Sequence, residues 1–286
     1  MTLPARVARF LPALACPGCG ASLENSAEAL RCTGCAAAYP VRDGRIYFRS
    51  VAAARSDPMD SLKGRLKKLL GRWYYTIGVR VFAPTYPFAF ARRLLRQVDP
   101  ARQLVVDAGC GVHRCDEDAL GLDIDEHAAV DIVCDLQALP FKPGSLDAIV
   151  TRSVLEHVPD PEAVVGGFLR CTRTGGLGMH QVPFLFPFHA SPHDYRRFTH
   201  MGLQQLFAKW KMMEQVNSGG PVSLALLATI ELVSTLASFG RPGPKSVVYL
   251  LLCGLLFPLK ILDAPFIARA AMLPMAPSIF VHVVKP

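Results

Sequence analysis

The chain has 286 residues, 51% of them hydrophobic and only 19% charged, with a formal net charge of +8 and nine cysteines. At roughly 100–200 residues per domain, this length fits one sizeable domain plus a smaller one, with enough chain for a true core. Low charge and a positive mean hydropathy exclude intrinsic disorder, collagen and coiled coil.

Residues 1–50 read as one unit, ending in the strand-like Gly44-Arg45-Ile46-Tyr47-Phe48. Arg6 and Arg9 precede a short apolar patch that runs straight into a cysteine pair, a pattern unlike that of a secretory leader. Cys16-Pro-Gly-Cys19 and Cys32-Thr-Gly-Cys35 are two CxxC knuckles with twelve residues between them. Each knuckle holds two thiolates at one edge of a metal, and two knuckles complete a tetrahedral site. A redox pair or chance spacing is the alternative. A redox site, however, needs a single pair at a helix start, and an odd cysteine count with this cluster argues against a secreted disulfide framework. The expectation is a structural zinc on Cys16, Cys19, Cys32 and Cys35, since about 50 residues bury too little surface to fold alone.

Residues 51–61 read as a linker, and 62–100 as a basic lead-in whose first part, 62–82, is amphipathic with Leu62, Leu66, Leu69, Leu70 and Trp73 at helical spacing. From 101 to 286 strand and helix patterns alternate. LVVDAGCG, ALGLDID, VDIVCD, LDAIVTRS and GLGMHQVPF are five successive strands, THMGLQQLFAKW is a helix with a Thr cap, and KMMEQVNS and SIFVHVVKP are two further strands. Strands separated by helix-compatible segments give an α/β fold with a parallel sheet. Asp107, with Gly109 and Gly111, ends the first of these strands, Asp123 the second and Asp135 the third. Glycines let a ligand approach the backbone, and carboxylates at strand C-termini can accept from an amine, a ribose or an adenine amino group. The competing reading is that these acids are N-caps and turn residues.

With those residues placed, two resemblances stand out. LACPGCGASL…LRCTGCAAAYPVRDGRIYF, about residues 12–50, resembles the small zinc-ribbon partner protein of tRNA and release-factor methyltransferases. VVDAGCG…GLDID…DIVCDLQALPFKPGSLDAIVTRSVLEHVPDPEAVV…GG, with the tail VPFLFPFHASPHDYRRFTHMGLQQLF, resembles class I S-adenosylmethionine-dependent methyltransferases of the type 11 group over about 103–215. The second resemblance implies a Rossmann-like, seven-stranded sheet whose last two strands are antiparallel, with S-adenosylmethionine as cofactor. It further implies Asp107, Gly109 and Gly111 at the methionine end, Asp123 on the ribose, Asp135 and Leu136 at the adenine, and Ser153 lining the mouth. There are departures. His113 replaces the loop's third glycine, only sixteen positions separate Asp107 from Asp123, so the first helix must be truncated, and the turn before the fifth strand reads Arg173-Thr-Gly-Gly176. A protein that keeps the fold and has lost the cofactor is therefore one alternative.

Transfer to an oxygen or nitrogen can need a base, for which His157 and the pair His193-Asp194 are the candidates, with Arg196 and Arg197 as clamps for an anionic acceptor. Between the last two strands, 221–277 forms an apolar insertion. Residues 222–240 carry one charge, Glu231, and 246–259 carry none. Helices of these lengths span about 28 and 21 Å against a hydrocarbon thickness of roughly 30 Å. If SIFVHVVKP completes the same sheet, the chain must return to its starting side, so a single crossing is excluded. A shallow in-plane hairpin at 222–259, with basic flanks on anionic lipid, fits better than full spanning or than helices buried over the sheet. The expected function is methyl transfer to a small-molecule, lipid-linked or glycan-type acceptor at the inner, cytoplasmic face of the membrane. RNA methylation with the ribbon gripping nucleic acid is less favoured, because the positive charges are not interleaved with a stacking platform.

Overall fold

The computed structural model describes residues 3–26, 28–49, 69, 73, 78, 81–84, 96–189 and 193–286. The expected linker 51–61 and most of the basic lead-in 62–100 lie outside the described residues.

One eleven-stranded sheet organises the molecule, with strand order β1-β2-β3-β4-β7-β6-β5-β8-β9-β11-β10. Its centre is β5 (Val105–Ala108), buried along its whole length, flanked by β6 (Leu120–Asp123) and β8 (Leu146–Arg152). Such unbroken burial is what a parallel strand covered on both faces requires. The short β7 (Ile132–Val133) follows beyond β6, and β9 (Thr172–Pro183) beyond β8. Then β11 (Ser278–Val284) inserts antiparallel between β9 and β10 (Lys211–Asn217). These seven strands have the order and final antiparallel pair of the class I methyltransferase fold, as expected. Between β8 and β9, α2 (Pro161–Cys171) starts at Asp160, whose carboxylate accepts from the Ala163 amide at 2.9 Å, and buries Val164, Val165, Phe168 and Cys171 on one face. The shorter α3 (His200–Leu206) has the Thr199 cap, which accepts from the Gly202 amide.

The count of seven strands needs correction, because the N-terminal unit is not a separate body. After α1 (Ala5–Phe10), a meander of β1 (Leu23–Asn25), β2 (Ala29–Cys32), β3 (Ala38–Arg42) and β4 (Arg45–Tyr47) continues the same sheet. β4 pairs in parallel with β7, the Ile46 amide donating to the Asp131 carbonyl and the Phe48 amide to that of Val133. Without β4, β7 would be an edge with unpaired backbone groups. Val7, Phe10, Leu14, Leu30 and Ile46 enter the same core as Leu120, Leu122, Ile132 and Phe141.

At the other end, between β10 and β11, α4 (Pro221–Ser238) and α5 (Pro242–Leu256) form the expected helical hairpin. They pack through Leu226, Ile230 and Cys253. Asp263, fully buried, closes the base by accepting from the amides of Gly220, Val222 and Ser223 at the start of α4. Glu231, the charge inside the first apolar run, pairs with Lys245. The hairpin's outward side is apolar: Leu236, Leu251 and Leu255 are 66%, 68% and 72% exposed, and Phe239 at the tip 91%.

Candidate functional site

The two knuckles bring Cys16, Cys19, Cys32 and Cys35 together, all four sulfurs lying within 4.8 Å of one another. None is in a disulfide. The amides of Gly34 and Cys35 point at the Cys32 sulfur at 3.3 and 3.4 Å, and that backbone bonding holds its thiol below the ordinary range. Burial works against ionisation of Cys16, but the Tyr39 hydroxyl at 3.0 Å and backbone bonds to Cys19 and Gly18 bring it down to about 6. Despite backbone bonding, the neighbouring sulfurs push the thiols of Cys19 and Cys35 up in turn, so the cluster favours two thiolates by itself. Four converging sulfurs in two such turns fit a zinc ion, and with four protein donors no position is left for chemistry.

The acids expected at the strand ends lie along the C-terminal edge of the central strands. Asp107 is completely buried. Its Oδ2 accepts from the Cys115 amide at 2.6 Å and from Arg152 at 2.7 Å, while Oδ1 has no hydrogen-bond partner among the described residues. Burial pushes its carboxyl up, and the Arg152 guanidinium opposes that shift. Arg152 also donates to the His113 carbonyl at 2.5 Å, so one guanidinium ties the loop to the floor of the site. Residues 109–119, from β5 to β6, form turns with no helix, in keeping with the truncated first crossover. Gly109 and Gly111 have φ of 73° and 56°. A Cβ on Gly109 would strike Val154, whereas above Gly111 there is open space.

Asp123, half-buried, accepts from the Gly111 amide at 2.8 Å and the Asp125 amide at 3.1 Å, one bond to each oxygen. Each oxygen keeps a lone pair, so a pair of hydroxyls can still be bound. Asp135 caps the 3₁₀ turn Leu136–Ala138 by accepting from the Gln137 amide, so here the capping alternative describes what the residue does within the chain. Leu136 is buried. Ser153, exposed just past β8, has a φ of 54°, a strained conformation of the kind that collects at sites. An orphan carboxylate oxygen, a rigid carboxylate with spare acceptors and an open glycine turn are the groups that an ammonium and a ribose would use. These residues fit S-adenosylmethionine.

The histidines lie beside this edge, after β8 and β9. The His157 Nδ1 is 2.5 Å from the His193 carbonyl. The His193 side chain itself is exposed, its ring tilted at 35° to that of Tyr195 with the centroids 5.3 Å apart. Asp194 is engaged by Arg197 through both oxygens and by the His189 amide. Burial alone would raise its carboxyl, but these donors hold it below the ordinary range. Arg196 pairs with Glu162 at 3.1 Å. Three residues that sequence reasoning did not single out join the constellation: Arg152, Glu156 and His189. Glu156 and His189 are far apart in sequence, and only the shared sheet edge brings them together.

Comparison with known proteins agrees with this architecture. Residues 99–179 match the family described as methyltransferase domain, and residues 8–44 the Trm112p-like protein family. An uncharacterized methyltransferase of Mycobacterium sp. (strain KMS) is 48% identical over 42 residues, 15% of this chain, and one of strain JLS is 45% identical over the same length. The match spans only 17% of those relatives' own length. Among solved structures, Haemonchus contortus phosphoethanolamine N-methyltransferase 2 with S-adenosyl-L-methionine is similar at a TM-score of 0.49 and 16% identity, over 79% of this chain and 57% of that one. The complex of the Haloferax volcanii Trm112 methyltransferase activator with a methyltransferase is similar at 0.45 and 15%, over 80% and 96%. The fold and its sheet edge define a class I methyltransferase domain. The chain joins this domain, of the methyltransferase 11 family, to a Trm112p-like domain.

Proposed function

We propose that this protein transfers a methyl group from S-adenosylmethionine to an amphiphilic acceptor, of lipid-linked or glycan type, at the inner face of the membrane. The bound cofactor supplies the electrophilic methyl, and the chain's part is positioning, which dominates an in-line displacement. Asp123 would hold the ribose hydroxyls, Asp107 and the Gly109–Gly111 turn the methionyl end, and Asp135 with Leu136 the adenine, while Ser153 lines the mouth. A zinc ion on Cys16, Cys19, Cys32 and Cys35 would serve folding rather than chemistry. The observation that carries the transfer reading is the Asp107 Oδ1, without a hydrogen-bond partner among the described residues, at the end of β5, with Asp123, a carboxylate with spare acceptor capacity, at the end of the neighbouring β6. The membrane part rests on the exposed apolar face of α4 and α5 and on the Glu231–Lys245 pair, which neutralises the hairpin's internal charge. A nucleic-acid grip by the ribbon is not favoured, because three of its arginines are engaged within the chain, although Arg31 and Arg42 are exposed. Arg6 binds Asp131, Arg9 the carbonyls of Pro100, Ala101 and Asp118, and Arg45 Glu126 and the Val130 carbonyl.

The test is calorimetric titration of S-adenosylmethionine and S-adenosylhomocysteine into the zinc-loaded, detergent-solubilised chain, with Asp123→Ala as control. Micromolar binding that falls at least tenfold in the variant is expected. Absence of binding by well-folded protein would overturn the enzyme reading and leave a scaffold on a methyltransferase fold.

A further inference from the structure

A second cluster of metal donors lies outside the cysteine site. Glu156 Oε1 is 3.6 Å from His157 Nε2 and 3.5 Å from His189 Nε2, and one donor atom from each of the three residues lies within 4.8 Å of the others. Donors at about 2.1 Å from a common tetrahedral ion stand roughly 3.4 Å apart, so both glutamate–histidine distances are those of ligands around one ion. The glutamate is fully buried, and neither of its carboxylate oxygens has a hydrogen-bond partner among the described residues. A carboxylate withdrawn from water in this way is stabilised by a bound cation.

The surroundings are those of a ligand set. The His193 carbonyl at 2.5 Å takes the Nδ1 proton of His157, which turns the Nε2 lone pair towards Glu156. His189 has its own outer partners, with the Pro187 carbonyl 3.2 Å and the Asp194 carboxylate 3.6 Å from Nδ1. Asp194 is in turn fixed by Arg197. A ligating imidazole whose other nitrogen meets a carbonyl or carboxylate is the usual outer arrangement of a metal site. The two rings stand nearly perpendicular, at 84°.

We infer that Glu156, His157 and His189 bind one divalent transition-metal ion, with zinc the metal that two imidazoles and a carboxylate suit best. Three protein donors leave a coordination position open for water or for an oxygen of the acceptor, whose proton the ion would make easier to remove. Only this last role rests on the proposed methyl transfer. On that view His157 is a ligand rather than a free base, and His193 and Asp194 position the two ligating histidines.

The test is metal content per chain, by elemental analysis of the full-length protein dialysed against micromolar zinc, with a parallel cobalt-substituted sample. The wild type should carry two ions per chain. The double variants His157→Ala/His189→Ala and Glu156→Gln/His189→Gln should each carry one. In the cobalt samples the thiolate-to-metal bands of the cysteine site should persist unchanged, which also reports that the ribbon is folded, while the weaker bands of the second ion disappear. One ion per wild-type chain with intact thiolate bands overturns the assignment, and so do two ions in the folded glutamine variant. Two ions together with absent cofactor binding would leave the metal site standing and remove the methyl-transfer reading alone.

Discussion

The two ends of the sheet handle their surroundings in opposite ways. On the N-terminal side, where β4 joins β7, polar groups are spent inward: Asp131, 2% exposed, takes Arg6 at 2.8 Å, Arg114 at 2.6 Å and the Gly121 amide at 3.0 Å. At the β10–β11 end, the inserted hairpin keeps its one internal ion pair and turns leucines outward. The first end is a junction the chain completes within itself. The second presents exposed leucines from both helices of the hairpin. The same sheet thus carries one junction, β4 on β7, closed by backbone pairing and buried charge, and one inserted hairpin that turns leucines outward.

The largest expected effect is at the β4–β7 junction. Replacing Asp131 by Ala strips Arg114 and the Gly121 amide of their buried partner and releases α1 through Arg6. Breaking a buried pair from one side costs about 3–5 kcal/mol, so Asp131→Ala should lower the denaturant midpoint sharply and expose the ribbon to limited proteolysis. If the variant unfolds like the wild type, the junction does not depend on this carboxylate. A smaller, pH-dependent effect lies in the core between the two ends. His180 is fully buried, bonds Thr151 at 2.9 Å through Nδ1 and is stacked by Phe168 and Phe207. Burial, helped by nearby His282, lowers its pKa from 6.5 to about 3. The unfolded chain therefore binds this proton first, so stability is fully present above pH ~6.5 and falls as pH drops from there towards 3. His180→Phe should flatten that slope in urea titrations between pH 7 and 5, and an unchanged slope would assign it to other groups.

How much of this was legible in sequence follows from how local each feature is. The cysteine knuckles could be read because a CxxC turn places its own sulfurs, and the methyltransferase strands because their burial shows as apolar runs ended by Asp107, Asp123 and Asp135. The hairpin was legible from length and composition. The β4–β7 pairing was not, since it is made of backbone hydrogen bonds that leave no mark on residue identity. Nothing in the sequence marks Asp131, because its partners Arg6 and Arg114 come from distant segments. The Glu156–His157–His189 cluster was half visible: His157 stood out after β8, but His189 acquires a role only once β8 and β9 deliver their loops to the same edge. For Asp135 the sequence allowed both a cap and a ligand-binding acid, and its bond to the Gln137 amide accounts for the cap without excluding the ligand.

The smallest expected change in stability is at the open side, and it is the one that sharpens the contrast. Leu232, Leu236, Leu251 and Leu255 are all more than half exposed. If they face water, changing each to Gln should alter stability by about 0.5 kcal/mol or less per site, because little packing is lost. The same four changes should abolish flotation of the full chain with vesicles of phosphatidylglycerol and phosphatidylethanolamine, since the apolar face would no longer offset the cost of entering the interface. Together, near-native unfolding and lost flotation would mean that the leucines serve an outside phase. Flotation retained by the quadruple variant would remove the hairpin from membrane contact. A large loss of stability would mean that these side chains are covered within the protein in solution, and the two ends of the sheet would then follow the same rule.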